Sequence, residues 1–132
     1  MKVVLDSNVI VSAFATRGLC ASLFEILLAS EEIIISEHIL YEVKRVLRIK
    51  IKLPEKNTSE IIDYLRESCS VLDYNKLISN VCRDKDDDKI LALAFSNGIK
   101  LIVTGDKDIL SLKKYKTIKI LSPKEYWKTF LS

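Results

Sequence analysis

The chain has 132 residues, of which 48% are hydrophobic and 30% charged; 21 Lys and Arg stand against 18 Asp and Glu, a formal net charge of +3. This length and balance predict a single folded domain over residues 1–132 and exclude a disordered chain, while 3 Gly and 2 Pro exclude collagen-like and low-complexity classes. A net charge this close to zero neither requires nor forbids a nucleic-acid partner.

Residues 2–5 are a β-branched apolar run closed by Asp6-Ser7-Asn8, the pattern of a buried strand ending in a polar turn. A short helix is predicted over 9–15, broken by Gly18, and another over 21–29. Asp6 interrupts the first apolar stretch and Glu25 the second, so neither a signal peptide nor a membrane span is expected, and the expected location is the cytoplasm. Ile33-Ile34-Ile35 reads as a second strand. Ser36 is the predicted N-cap of a helix to about residue 49, with an inward stripe of Ile39, Leu40, Val43, Val46 and Leu47. The stretch 50–57, which contains Pro54, reads as a loop. Thr58 or Ser59 is then expected to cap a helix that turns Ile61, Ile62, Leu65 and Cys69 inward. Val71-Leu72 is a candidate third strand, and 86–97 a helix stopped by a left-handed Gly98. A strand over 101–104, a short helix over 108–112 and a strand over 118–121 follow, and Ser122-Pro123 opens a final helix through residue 130. Short apolar strands alternating with helices predict an α/β fold, a parallel sheet covered on both faces.

The acids are placed unusually on that plan. Asp6 closes the first strand and Asp106 follows the strand 101–104. Ligands of open parallel sheets bind beyond the carboxyl ends of strands, so the two are candidates for one site; each also reads as an ordinary turn residue. Asp84, Asp86, Asp87 and Asp88 crowd one helix start, more acid than complementing a helix dipole needs. Helical phase puts Asp87 on the face of Ile90, Leu91 and Ala94, where a charge calls for a cation to meet it. Asp88, turned about 100° away, reads as a surface acid. Glu42 lies at the edge of its helix stripe, where it either looks into a cleft or reaches back to solvent. Cys20, Cys69 and Cys82 are scattered and His38 is the only histidine, which disfavours a zinc site and leaves three idle thiols. His38, near a helix start, reads as a capping or surface residue. Oxygen donors of this kind favour Mg²⁺ or Mn²⁺, and carboxylates gathered round such ions suit phosphodiester hydrolysis.

Four segments in order carry a resemblance: Val4-Leu5-Asp6-Ser7-Asn8-Val9-Ile10; Glu42-Val43-Lys44-Arg45-Val46-Leu47; Arg83-Asp84-Lys85-Asp86-Asp87-Asp88 before Ala92-Leu93-Ala94; and Val103-Thr104-Gly105-Asp106-Lys107-Asp108. Over nearly the whole chain they resemble a PIN domain, and most of all the VapC-like toxins of prokaryotic toxin–antitoxin systems. The resemblance implies a three-layer α/β/α sandwich with a mainly parallel central sheet. It implies a metal-dependent endoribonuclease with one or two Mg²⁺ or Mn²⁺ ions, leaving 5′-phosphate and 3′-hydroxyl ends. Its catalytic and metal-holding quartet falls on Asp6, Glu42, Asp87 and Asp106. Asp84 and Asp108 are expected as supporting acids, and Asn8 and Thr104 as supporting polar groups. Lys85 stands where this group often has proline. The partners implied are an RNA substrate, an antitoxin protein and a second copy of the chain, with Tyr126-Trp127 and Phe130-Leu131 as a candidate dimer contact.

Two basic sets flank these segments. Lys44, Arg45, Arg48, Lys50, Lys52 and Lys56 form one; Lys107, Lys113, Lys114, Lys116, Lys119, Lys124 and Lys128 form the other. Arg45, Arg48 and Lys107 carry the RNA-binding expectation, against the equally open reading of solvated helix faces and edge-strand protection. Tyr41, Tyr115, Tyr126 and Trp127 can stack on bases but read more naturally as core or interface anchors. Three rival functions stand beside the toxin: an RNA-processing or decay nuclease without an antitoxin, a catalytically idle PIN fold that only binds, and a phosphatase or phosphoacceptor using Asp6 as nucleophile. Against the last, Asn8 occupies the place of the second Asp that such a phosphatase needs. With the quartet set aside, 14 acids remain against 21 bases, so an acidic pocket in a basic surround underlies the small net charge.

Overall fold

Runs of aliphatic residues supply the sheet. Strands β1 (Lys2–Leu5) and β2 (Glu32–Ile35) each bury their last three residues in succession, as strands covered on both faces must. With β3 (Ser70–Val71), β4 (Leu101–Val103), β5 (Lys114–Tyr115) and β6 (Ile118–Leu121) they form a six-stranded sheet ordered β3-β2-β1-β4-β6-β5. Every pairing is parallel except that of β5 with β6. The computed structural model describes residues 1–75, 78 and 80–132.

The helices among the described residues are α1 (Ser7–Ala15), α2 (Leu19–Ser30), α3 (Glu37–Ile49), α4 (Glu55–Ser68), α5 (Lys85–Ser96), α6 (Lys107–Leu110) and α7 (Pro123–Tyr126). Right-handed crossovers put α1 to α4 on one face, where α1 packs on α2 and α3, and α3 on α4; α5 packs on β1 from the other face. The result is the three-layer α/β/α sandwich. One hydrophobic cluster joins the layers, with Leu5, Ile10, Leu23, Ile34, Ile39 and Leu91 fully buried. No single helix among the described residues is long and apolar enough to cross a membrane.

Several expected boundaries move, each for a local reason. Asp6 caps α1 directly, so the polar triplet is the start of a helix rather than a free turn. The helix expected from Thr58 or Ser59 begins at Glu55 behind Pro54, whose fixed φ suits a helix entry. Thr58 therefore sits inside α4, 1% exposed, and its hydroxyl donates to the Pro54 carbonyl at 3.1 Å. The third strand is Ser70–Val71, one residue earlier than expected. Strand β5 carries no hydrophobic pattern; a lysine at this sheet edge limits further pairing. The last helix keeps its regular form only to Tyr126 and continues as a π-helical turn, Trp127–Leu131. Gly98, at φ 65°, ends α5 in the left-handed conformation expected of it.

Candidate metal centre

The strand order reverses between β1, which continues to β2 on one side, and β4 on the other. The crevice beyond the carboxyl ends of these two strands is where an open α/β sheet binds ligands. Asp6 extends β1 into it, with its N–H donating to the Val103 carbonyl at 3.0 Å. Its side chain is 4% exposed and fully engaged. Oδ1 accepts from the Ser7 N–H at 2.7 Å. Oδ2 accepts from the Thr104 hydroxyl at 2.7 Å and from the Asn8 amide at 3.3 Å. Burial pushes the Asp6 carboxyl above its usual range, and nearby Asp106 adds to that, while the Thr104, Ser7 and Asn8 hydrogen bonds pull the other way.

Thr104 is the fixed point of the site. It is fully buried, and besides donating to Asp6 its Oγ1 accepts from the Asp106 N–H at 3.0 Å. Asn8 closes the same corner, since its Oδ1 accepts from the Gly105 N–H at 2.8 Å. A Cβ at Gly105 would lie 3.2 Å from that oxygen, so the close approach suits glycine. Asp106 caps α6 by accepting from the Asp108 N–H at 2.8 Å, just as Asp6 caps α1. The turn reading and the site reading of these two acids thus both hold: each caps a helix on one side and faces the crevice on the other.

Asp87 enters from the first turn of α5 and is 9% exposed. Its carboxyl is pushed up to about 7, first by burial and then by Asp106, Asp84 and Asp6. In its protonated form it donates to Asp106. Asp87, Asp106 and Asp108 each offer an oxygen within 4.8 Å of the others, a donor set that fits one hard divalent cation. Asp108 also meets Arg83 at 2.9 Å on its exposed side. Asp84 caps α5 by accepting from the Asp86 N–H at 2.9 Å and stays exposed. Asp88 is not the surface acid expected: it is 3% exposed and accepts from the Cys82 N–H at 2.8 Å, tying the preceding loop to the helix. Burial pushes the Cys69 thiol up to about 11 and, with Asp88 beside it, the Cys82 thiol to about 12, so neither is a nucleophile near neutrality.

Glu42, on α3, looks into the cleft. Ser7 links it to the rest: its hydroxyl donates to Glu42 Oε1 at 3.3 Å and lies 3.5 Å from Asp6 Oδ1. Burial raises the Glu42 carboxyl, and His38 draws it down. Ser7 was not singled out in the sequence; its place beside Asp6, at the first position of α1, was the available signal. His38 is neither cap nor free surface group. Ser36 caps α3, while His38 Nε2 lies 3.4 Å from Glu42 Oε1 and 3.8 Å from Asp86 Oδ1. Arg45, Arg48 and Lys107 are exposed, Arg48 donating to the Leu53 carbonyl at 3.4 Å. Tyr126 is a core residue, 2% exposed, whereas Tyr41 is 64% exposed.

A parallel sheet whose switch point gathers carboxylates from β1, α3, α5 and the end of β4 defines a class of acid-centred, cation-binding α/β proteins. The sequence pattern of the PIN domain matches residues 2–108, and the chain belongs to that family. An uncharacterised protein of Methanocaldococcus jannaschii is 34% identical over 144 aligned positions, which cover 98% of this chain and 92% of that one. Solved structures share the fold at low identity. VapBC2 from Rickettsia felis, bound to a DNA fragment from their promoter, aligns with TM-score 0.67 and 16% identity over 92% of this chain and 98% of that one. VapC20 of Mycobacterium tuberculosis, a sarcin–ricin loop cleaving toxin, aligns with TM-score 0.63 and 14% identity over 89% and 98%. FitAcB from Neisseria gonorrhoeae gives TM-score 0.54 and 16% identity over 92% and 97%.

Proposed function

We propose that this PIN-family chain is a divalent-cation-dependent endoribonuclease and the toxin of a type II toxin–antitoxin system, with Asp6, Glu42, Asp87 and Asp106 as its working acids. One observation carries the reading: acids from four separate elements crowd one crevice closely enough to hold Asp87 near neutrality. Such crowding is what a cation relieves, and Asp87, Asp106 and Asp108 offer the oxygens for it. Bound there, Mg²⁺ or Mn²⁺ supplies a polarised water and positive charge for the phosphoryl transition state. Thr104 and Ser7 hold the Asp6 carboxylate in one orientation, and the Thr104 hydroxyl positions the turn that presents Asp106. Glu42, tethered through Ser7, orients the attacking water and draws off its proton.

A groove of about 360 Å³ opens beside this centre between α1 and α3, lined by Ser7, Asn8, Val46, Lys50 and Ile51 among others. An apolar floor with one lysine suits a nucleotide flanking the cut, and exposed Arg45, Arg48 and Lys107 add backbone contacts. The toxin role is supported by the likeness to VapC20, described as a sarcin–ricin loop cleaving toxin, and to VapBC2. The test is cleavage of RNA by pure protein with Mn²⁺. Activity is expected to fall at least ~100-fold in Asp6→Asn; undiminished cleavage ends the assignment. Growth arrest on expression, relieved by the same substitution, separates a toxin from an RNA-processing nuclease. Calorimetry with Mn²⁺ separates either from an idle binding fold, which takes up no ion sensitive to Asp6 or Asp106.

A further inference from the structure

We propose that His38, Glu42 and Asp86 form a second cation site whose imidazole selects Zn²⁺ over Mg²⁺, with donors distinct from the Asp87, Asp106 and Asp108 group. His38 and Glu42 stand four residues apart on α3, one helical turn, and so project from the same face. Asp86 comes across from the first turn of α5. Donors sharing one ion at ~2.0–2.2 Å lie no more than about 4.4 Å apart. His38 Nε2 is 3.4 Å from Glu42 Oε1 and 3.8 Å from Asp86 Oδ1, and all three atoms fall within 4.8 Å of one another.

The imidazole nitrogen supplies an independent observation. Nε2 is shielded from solvent and makes no hydrogen bond, one of two such side-chain atoms among the described residues. Buried polar atoms of native proteins have partners, and an orphan calls for a water or an ion. The carboxylates have other neighbours: Ser7 donates to Glu42, and Lys89 Nζ lies 3.2 Å from Asp86. Nε2 alone has none, and it points between them. A nitrogen donor with two carboxylates is a set that Zn²⁺ prefers and Mg²⁺ does not, and three protein ligands leave an open coordination position. The alternative occupant of Nε2 is a proton, making an imidazolium that pairs with both acids.

The site stands on its donors and does not depend on the ribonuclease reading. The intact protein, saturated with Mg²⁺, is titrated with ZnCl₂ by calorimetry while the His38 ring nitrogens are followed by ¹⁵N NMR. One equivalent of Zn²⁺ is expected to bind and to move Nε2 to a metal-coordinated shift. His38→Gln and Asp86→Asn are each expected to weaken it by more than the ~10–100-fold that loss of an outer-shell partner brings. Asp87→Asn is expected to retain it. A Zn²⁺ event unchanged in His38→Gln, one lost in Asp87→Asn, or an Nε2 that stays protonated in zinc-treated wild type overturns the proposal. The wild-type NMR arm decides even if a variant fails to fold, and none of these readouts requires RNA cleavage.

Discussion

Replacing Asp87 with Asn tests whether the acidic crevice is under electrostatic load. In the folded protein this carboxyl titrates near 7, against an ordinary value of 3.8. Between those values the folded state holds a proton that the unfolded chain has lost, so stability falls as pH rises from about 4 to 7, and the full penalty applies above that. A rise from 3.8 to about 7 corresponds to ~4 kcal/mol as an upper bound. Water at the cleft mouth screens part of it, which leaves about 2 kcal/mol. Asp87→Asn removes the charge and keeps the shape. At pH 8 without divalent ions it is expected to be more stable than wild type by about 2 kcal/mol, roughly 6–10 °C in Tm for a domain of this size. At pH 4 the gain shrinks below ~0.6 kcal/mol, because both states of wild type are then largely protonated. Saturating Mg²⁺ at pH 8 is expected to close the gap from the other side by stabilising wild type. Urea unfolding at the two pH values, with and without Mg²⁺, measures all three. A variant less stable than wild type at pH 8, or a gain equal at pH 4 and pH 8, refutes the reasoning.

Asp88→Ala tests the neighbouring acid in the opposite sense. It strands the Cys82 N–H, so a loss of ~1–3 kcal/mol is expected by urea unfolding, with Mn²⁺ affinity of the Asp87 group little changed in calorimetry. Thr104→Val removes both the donor to Asp6 and the acceptor for the Asp106 N–H at nearly constant volume. It is expected to cost ~1–3 kcal/mol and, unlike Asp88→Ala, to weaken Mn²⁺ binding as well. Ile34→Ala, at a fully buried position of β2, is expected to cost ~2–5 kcal/mol in the same unfolding assay and to leave Mn²⁺ affinity of the folded fraction intact.

Asp6 and Asp106 were legible as site candidates because strand ends and helix starts are local patterns, and in this fold they coincide with the edge of the crevice. The phase of α5 likewise placed Asp87 inward. The same periodicity misjudged Asp88, because the partner that buries it is the Cys82 N–H of a loop outside any helical repeat. His38 shows a different limit. Its spacing from Glu42 was visible in the chain, but the approach of Asp86 depends on how α5 packs beside α3, which no local pattern encodes. The start of α4 was misplaced because serine and threonine caps were weighed above a proline entry, and β5 because a two-residue edge strand has too few side chains to show alternation.

The pairing of β1 with β4 also bears on synthesis. Asp6 is among the first residues made, yet its hydroxyl donor, Thr104, lies 98 positions later. Until β4 docks beside β1, Asp6 lacks that donor and Asp106 is not yet at hand. The carboxylates therefore come together late, after the aliphatic strands have formed most of the interior. If the crevice cuts RNA as proposed, a growing chain is inert toward its own messenger until nearly all of the sheet has emerged from the ribosome.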